Sequence, residues 1–280
     1  MKKILVPCDF SEQAINAFRF AVDIAAQSKG EIHLVHVVEL PVLHDTMLMP
    51  VLSFEEALFE ELRVKAEKQF QKLAAKYVSG TTKVKMKVLF GGTARMILDY
   101  IDDVKIDLVT MGSKGSSGVR EYLVGSNAEK IVRGSSVPVL VVKKYVKASS
   151  IKDIVFPNTL HTETQEDLVM KVKALQNFFK AKIHIVWINT PSNFTRDKIT
   201  HERLTAFAKR FMFKDYTIHV YNDPYEESGV INFTHDFKAD MIAIGTHGRK
   251  GLAHLMSGSV AEDLVNHVDC PIWTYAIKKD

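Results

Sequence analysis

The chain has 280 residues, 46% hydrophobic and 25% charged, with a formal net charge of +4. That length suits two domains of ordinary size; the slight, dispersed positive charge argues against a nucleic-acid-binding stripe, and two distant cysteines, Cys8 and Cys270, exclude a disulfide framework or a CxxC site. No apolar run reaches the roughly 18 residues of a membrane span, and Pro7 and Asp9 interrupt the first segment as a signal sequence, so a soluble cytoplasmic protein is expected.

In chain order, residues 4–6 read as a short buried strand ended by Pro7. Ser11 then caps a helix whose apolar positions (Ala14, Ile15, Phe18, Ala21, Val22, Ala25) follow the helical period until Gly30 stops it. Strands at 31–38, 84–90, 106–111 and 137–143 alternate with a long charged helix at 53–78 and helices around 94–101 and 126–133. The second half repeats the order, with strands at 154–156, 183–188, 217–221, 241–244 and 272–277 and helices at 163–179, 200–213, 226–236 and 259–267. The boundary falls near residues 145–150, giving domains 1–147 and 150–280. Strands alternating with helices imply parallel sheets covered on both faces, so the expected fold is α/β with two tandem open five-stranded parallel sheets. The last strand of each half is an edge candidate. The two are expected to pair across a pseudo-twofold axis within the chain, with a homodimer as a further option.

The most informative pattern is Gly112-x2-Gly115-x9-Gly125-Ser126, which recurs as Gly245-x2-Gly248-x9-Gly258-Ser259. With 14 glycines in the chain, three at fixed spacing are expected by chance about 0.03 times at ordinary usage, so two copies in matching context mean an internal duplication. The offset between halves is 150 at the first strand and 133 at this motif, so the second copy has lost 17 residues in between.

In an open parallel sheet, ligands sit beyond the carboxyl ends of the strands where strand order reverses. Those ends are Pro7-Cys8-Asp9, Val37-Val38-Glu39 and Gly112-Ser113-Lys114-Gly115. Gly112 and Gly115 permit positive φ and leave the loop without side-chain bulk, so its amides can face an anion. Ser126 reads as the N-cap of a helix whose positive end favours phosphate. Ser113 and Lys114 add a hydroxyl and a cation, and Asp9 is placed to accept hydrogen bonds from ribose hydroxyls. Together these groups suggest a nucleotide. Neither copy has the Walker lysine, GxGxxG is absent at the first turn, and no Gly-x-Ser-x-Gly elbow occurs. No base pairs with a metal-binding carboxylate near the loop, so rapid ATP turnover is not expected.

PCDFSEQA at 7–14, HVVE at 36–39 and GSKGSSG…VGSNAEKI at 112–131 resemble the universal stress protein family, as do the loops at 245–251 and 255–259. The resemblance covers both halves and implies an adenine-nucleotide-binding α/β sandwich (adenine nucleotide alpha hydrolase-like) whose domains associate through their last strands. It implies that Asp9 and Val37 hold ribose and adenine of ATP or AMP, magnesium being an optional companion. Gly112, Ser113, Gly115, Gly125 and Ser126 would hold phosphates, with Lys114 and Asn127 nearby. In the second half Thr159 stands where Asp9 is expected, while Gly245, Thr246, Gly248, Gly258 and Ser259 remain. Unequal occupancy follows, the first half binding nucleotide and the second binding it weakly, binding another anion, or serving as structure.

The leading expectation is thus a stress-response or regulatory nucleotide-binding protein without committed catalysis. Slow ATP hydrolysis, adenylate transfer and a nucleotide-free structural pseudo-dimer are the alternatives. Eleven histidines lack HxH or HExxH spacing, so no metal site is expected and the histidines read as exposed or core-edge. Cys8 reads as a small buried hydrophobe rather than a redox sensor. The apolar segment of Met47, Leu48, Met49, Val51 and Leu52 needs a cover.

Overall fold

A computed structural model describes residues 1–39, 52–113, 125–160, 165–247, 264 and 267–277. The apolar segment 47–51, Lys114, Gly115, Gly248, Gly258 and Ser259 fall outside the described residues, as does most of the helix expected at 259–267. The first half runs β1 (Lys3–Pro7), α1 (Glu12–Ser28), β2 (Glu31–Val38), α2 (Leu52–Tyr77), β3 (Lys83–Phe90), α3 (Thr93–Val104), β4 (Leu108–Gly112), α4 (Ser126–Gly134) and β5 (Val139–Val142). The second runs β6 (Asp153–Pro157), α5 (Glu166–Phe179), β7 (Lys182–Asn189), α6 (Asp197–Arg210), β8 (Tyr216–Asn222), α7 (Glu226–Phe237), β9 (Met241–His247) and β10 (Ile272–Ile277).

Short apolar runs make strands here because both faces of the sheet are covered. In β1 the side chains of Ile4 and Val6 join one core while Leu5 joins the other. The first core packs α1, α2, α5 and α6 on one face, and the second packs α3, α4 and α7 on the opposite face. Each core contains residues of both halves, so the two units share continuous apolar layers.

The sheet has ten strands in the order β3-β2-β1-β4-β5-β10-β9-β6-β7-β8. All neighbours are parallel except the central pair, where β10 runs antiparallel to β5 with Trp273 opposite Leu140. The last strands therefore meet within the chain, as their unpaired edges require. Strand order reverses between β1 and β4 in the first half and between β6 and β9 in the second. Because the central pairing is antiparallel, the carboxyl ends of the two halves point to opposite edges of the sheet.

The duplication extends to the backbone. Left-handed φ recurs at matched non-glycine positions: Phe10 and Leu160, Lys29 and Lys180, Lys105 and Lys238. The carboxylates of Asp107 and Asp240 each accept two main-chain N–H groups at the start of the first strand of their half. The junction is packed rather than loose. Tyr145 Oη and the Ala148 N–H both donate to Asp23 on α1, and the Arg19 guanidinium lies 3.7 Å from the Tyr145 ring centre.

Candidate functional site

At the β1/β4 switch the chain leaves β1 through Pro7 and turns sharply at Phe10, whose φ is 66°. The turn presents Asp9, whose Oδ1 accepts from the Ser11 N–H at 3.1 Å and the Ser11 hydroxyl at 2.6 Å. Ser11 in turn caps α1 by accepting from the Ala14 N–H. Asp9 is thereby fixed by the same hydrogen bonds that start the helix. Cys8 beside it is buried, and burial pushes its thiol up to about 12, which removes it from thiolate chemistry at neutral pH. Its carbonyl accepts from His36 Nδ1 at 2.8 Å.

Across the switch, β4 ends at Gly112 and Ser113. Ser113 is 2% exposed and its hydroxyl has no hydrogen-bond partner among the described residues. The Ser113 carbonyl accepts from the Gly125 N–H at 2.9 Å, closing the mouth of the intervening segment. α4 then begins with Gly125, not Ser126, as its N-cap, and no side chain caps it. The N–H groups of Ser126, Asn127 and Ala128 lack an intrahelical carbonyl, so the positive end of the helix has no capping partner among the described residues.

Two expectations change here. Gly112 is outside the positive-φ region; its missing Cβ instead admits α1, since a Cβ would lie 2.8 Å from the Gln13 carbonyl carbon. The Gly125 amide is already bonded to the Ser113 carbonyl, so the donors without an intrahelical carbonyl are those of residues 126–128 in α4.

These pieces enclose a cavity of about 350 Å³, within the range of small-molecule sites. Pro7, Asp9, Val37, Gly112, Gly125, Ser126 and Asn127 all line it, so every expected first-half site residue described here except Ser113 reaches its wall. Ser113 lies just behind, joined to two lining glycines by sequence and hydrogen bond. Val35, Ile97, Met111 and Ile131 supply an apolar side, and His36, Glu39 and Thr93 complete the rim. Thr93 and Ile97 escape sequence reading because they belong to α3, which starts beyond β3 at the sheet edge; Gly91-Gly92 just after β3 is the signal that marks that start. The Glu39 carboxyl is held below its ordinary range, first by the Thr93 hydroxyl and N–H and then by Asn127 and Lys130.

The second half is arranged differently. Asn158 Nδ2 donates to Gln165 Oε1 at 2.8 Å, Gln165 Nε2 donates to the Thr159 hydroxyl at 3.3 Å, and the Leu160 N–H donates to Asn158 Oδ1. The loop after β7 folds on itself through Asn193, which receives the Thr190 N–H on its carbonyl oxygen and donates to Glu226 of α7. Burial pushes the Glu226 carboxyl up to about 7. Gly245 and Thr246 lie in β9, and the Thr246 hydroxyl, like that of Ser113, is buried without a partner among the described residues. The shape of this half's glycine loop lies outside the described residues.

Two histidines are more buried than expected. His33 bridges Glu31 and Tyr100, and His184 bridges Asp153 and Thr217, each holding neighbouring elements together. Among the described residues no group of three or more His, Cys, Asp or Glu is placed to hold a metal ion, and no helix is long and apolar enough to cross a membrane.

A doubly wound parallel sheet in each half, with a cavity at the switch point of the first, places the chain in the class of open-sheet α/β proteins. The sequence profile of the universal stress protein family matches residues 1–143 and again 163–275. The chain belongs to the universal stress protein family and carries its pattern twice. A universal stress protein of Methanocaldococcus jannaschii is 29% identical over 143 residues, which is 51% of this chain and 82% of the relative. Universal stress protein G of Escherichia coli O157:H7 is 31% identical over 144 residues, 51% of this chain and 99% of the relative. The crystal structure of a universal stress protein from Archaeoglobus fulgidus superposes over 98% of both chains with a TM-score of 0.75 at 19% identity, which shows the shared tandem fold.

Proposed function

We propose that this protein is a cytoplasmic stress-response or regulatory protein that binds one adenine nucleotide, ATP or AMP, in the first-half cavity without committed catalysis. The observation that carries the reading is the convergence on one cavity of groups with opposite tasks. Asp9 stands at one side to accept from sugar hydroxyls. The N-terminus of α4, with Ser126 and Asn127 on the cavity wall, favours phosphate, and the buried Ser113 hydroxyl just behind that wall has no partner among the described residues. The apolar wall of Val35, Ile97, Met111 and Ile131 suits a purine ring, with Val37 also lining the cavity. Among the described residues Asp9 and Glu39 alone bring carboxylates to the wall, so magnesium would arrive with the polyphosphate rather than in a protein cage. His36 Nδ1 is committed to the Cys8 carbonyl, and among the described residues no base is hydrogen-bonded to the Ser113 hydroxyl, which supports binding over turnover.

Residues 1–147 and 150–280 act as two units in this reading, and the second contributes structure rather than an equal site, although Gly245, Thr246, Gly248, Gly258 and Ser259 retain the motif. Calorimetry with ATP and AMP tests it. One site per chain is expected, and Asp9→Ala should weaken binding by about 10- to 100-fold, the value of a charge-assisted hydrogen bond. Two equivalent sites, or no effect of Asp9→Ala, would overturn it.

A further inference from the structure

Two helices, not one, begin at the wall of the first-half cavity without a side-chain cap from their own N-cap residue. α4 begins after Gly125 and α3 after Gly92, and neither glycine provides a side-chain cap. Each helix end carries comparable positive potential, so each is a phosphate position in principle. The protein itself fills one. Glu39, at the carboxyl end of β2, accepts from the Thr93 N–H at 3.0 Å and places its charge on the first turn of α3. Its hydrogen bond with the Asn127 side chain sets the same carboxylate beside the first turn of α4 as well. Ser113, whose carbonyl bonds the N-cap of α4, has a buried hydroxyl without a hydrogen-bond partner among the described residues.

Resting on the nucleotide reading above, we propose that Glu39 is the specificity-determining anion of the cavity. It stands in for a ligand phosphate at α3, leaves α4 as the one phosphate position, and penalises each further negative charge on the ligand. The site is thus graded by phosphate number, and a short-tailed adenine nucleotide loses least. Glu39 is exposed, so the repulsion acts through a high effective dielectric and is sensitive to salt.

The experiment compares adenosine, AMP, ADP and ATP by calorimetry on the full chain, wild type against Glu39→Gln, at low ionic strength without divalent cations. Glutamine keeps the shape and the acceptor for Thr93 while removing the charge. Adenosine affinity should stay within about twofold, and ATP should tighten on the order of tenfold, with AMP and ADP between. The gain should collapse in about 0.5 M salt. A uniform change across the four ligands would reduce Glu39 to a structural role, and weaker ATP binding would reverse its sign; either result overturns the proposal. Failure of the wild type to bind any of the four would instead overturn the nucleotide reading, and this inference with it.

Discussion

Replacing Gly112 and Gly245 with alanine, one at a time, tests what the duplicated glycines do in the fold. A Cβ at Gly112 would lie 2.8 Å from the Gln13 carbonyl carbon and 2.9 Å from the Ala14 nitrogen. These are main-chain atoms of the first turn of α1, so relief requires the helix to move off β4. A Cβ at Gly245 would meet Leu168 Cδ2 at 2.6 Å and Ile277 Cδ1 at 3.0 Å. Both are tips of side chains, which a rotamer change clears. Overpacking that shifts backbone costs about 1–3 kcal/mol, whereas an off-rotamer adjustment costs about 0.5–1.5 kcal/mol. Gly112→Ala should therefore destabilise the chain by about 2–3 kcal/mol and Gly245→Ala by about 1 kcal/mol. Urea midpoints at constant m-value measure both. Equal losses, or a larger loss at Gly245, would refute the view that the first glycine is required by a helix backbone and the second only by movable side chains.

Ser113→Ala removes a buried hydroxyl that has no partner, so the ligand-free chain should keep or gain about 1 kcal/mol while ATP binding weakens; thermal shifts with and without ATP read both, and a stability loss would contradict the prediction. Thr246→Val should give the stability gain with no change in affinity. Glu226 holds its proton up to about 7 in the folded chain against an ordinary 4.5. The native state therefore binds the proton more tightly than the unfolded chain between those values, and stability falls as pH rises through the window. Glu226→Gln mimics the protonated form, so it should be neutral near pH 4 and stabilising near pH 8 by about 1–3 kcal/mol, the upper end being the full linkage and the lower end allowing for solvent screening of a half-buried group; a gain at both pH values would show a different origin. Thr159→Asp should leave the stoichiometry at one nucleotide per chain in calorimetry, and a second site would show that the missing carboxylate alone closes the second half.

Much of this architecture is legible because its signals are local. The apolar period of α1, its Ser11 cap and the strand-ending Pro7 announce themselves, and α1 ends at Ser28 with Lys29 left-handed, as expected to within two residues. The pairing of β5 with β10 follows from two unpaired edges in one chain. The role of Gly112 is not legible, because what it admits, the first turn of α1, is about 100 residues away in sequence. Thr93 is equally hidden: nothing in its own neighbourhood says that Glu39 will reach it across β2 and β3. The buried histidines mislead for a related reason. His33 and His184 look polar in isolation and become core residues only because Tyr100 and Thr217 arrive from other elements to satisfy them.

The two halves differ in how they fill the same place. The matched left-handed caps Lys29 and Lys180 align α1 with α5 so that Gln165 stands where Ala14 lines the first cavity, and the first strands align Asn158 with Cys8 and Thr159 with Asp9. In the first half a small methyl and a thiol leave room beside a carboxylate held by its own helix cap. In the second half two amides occupy that room and satisfy each other, with Gln165 2% exposed and Asn158 7% exposed. A nucleoside entering there would have to break this pair, and each buried amide left unsatisfied costs about 1–3 kcal/mol. In place of the Asp9 carboxylate it would meet a neutral hydroxyl, Thr159, already engaged by Gln165. Substituting one residue for a carboxylate leaves that volume and those hydrogen bonds untouched. The asymmetry is therefore one of packing as much as of charge, and restoring a second site requires emptying the Asn158–Gln165 pair before any acid at position 159 can act.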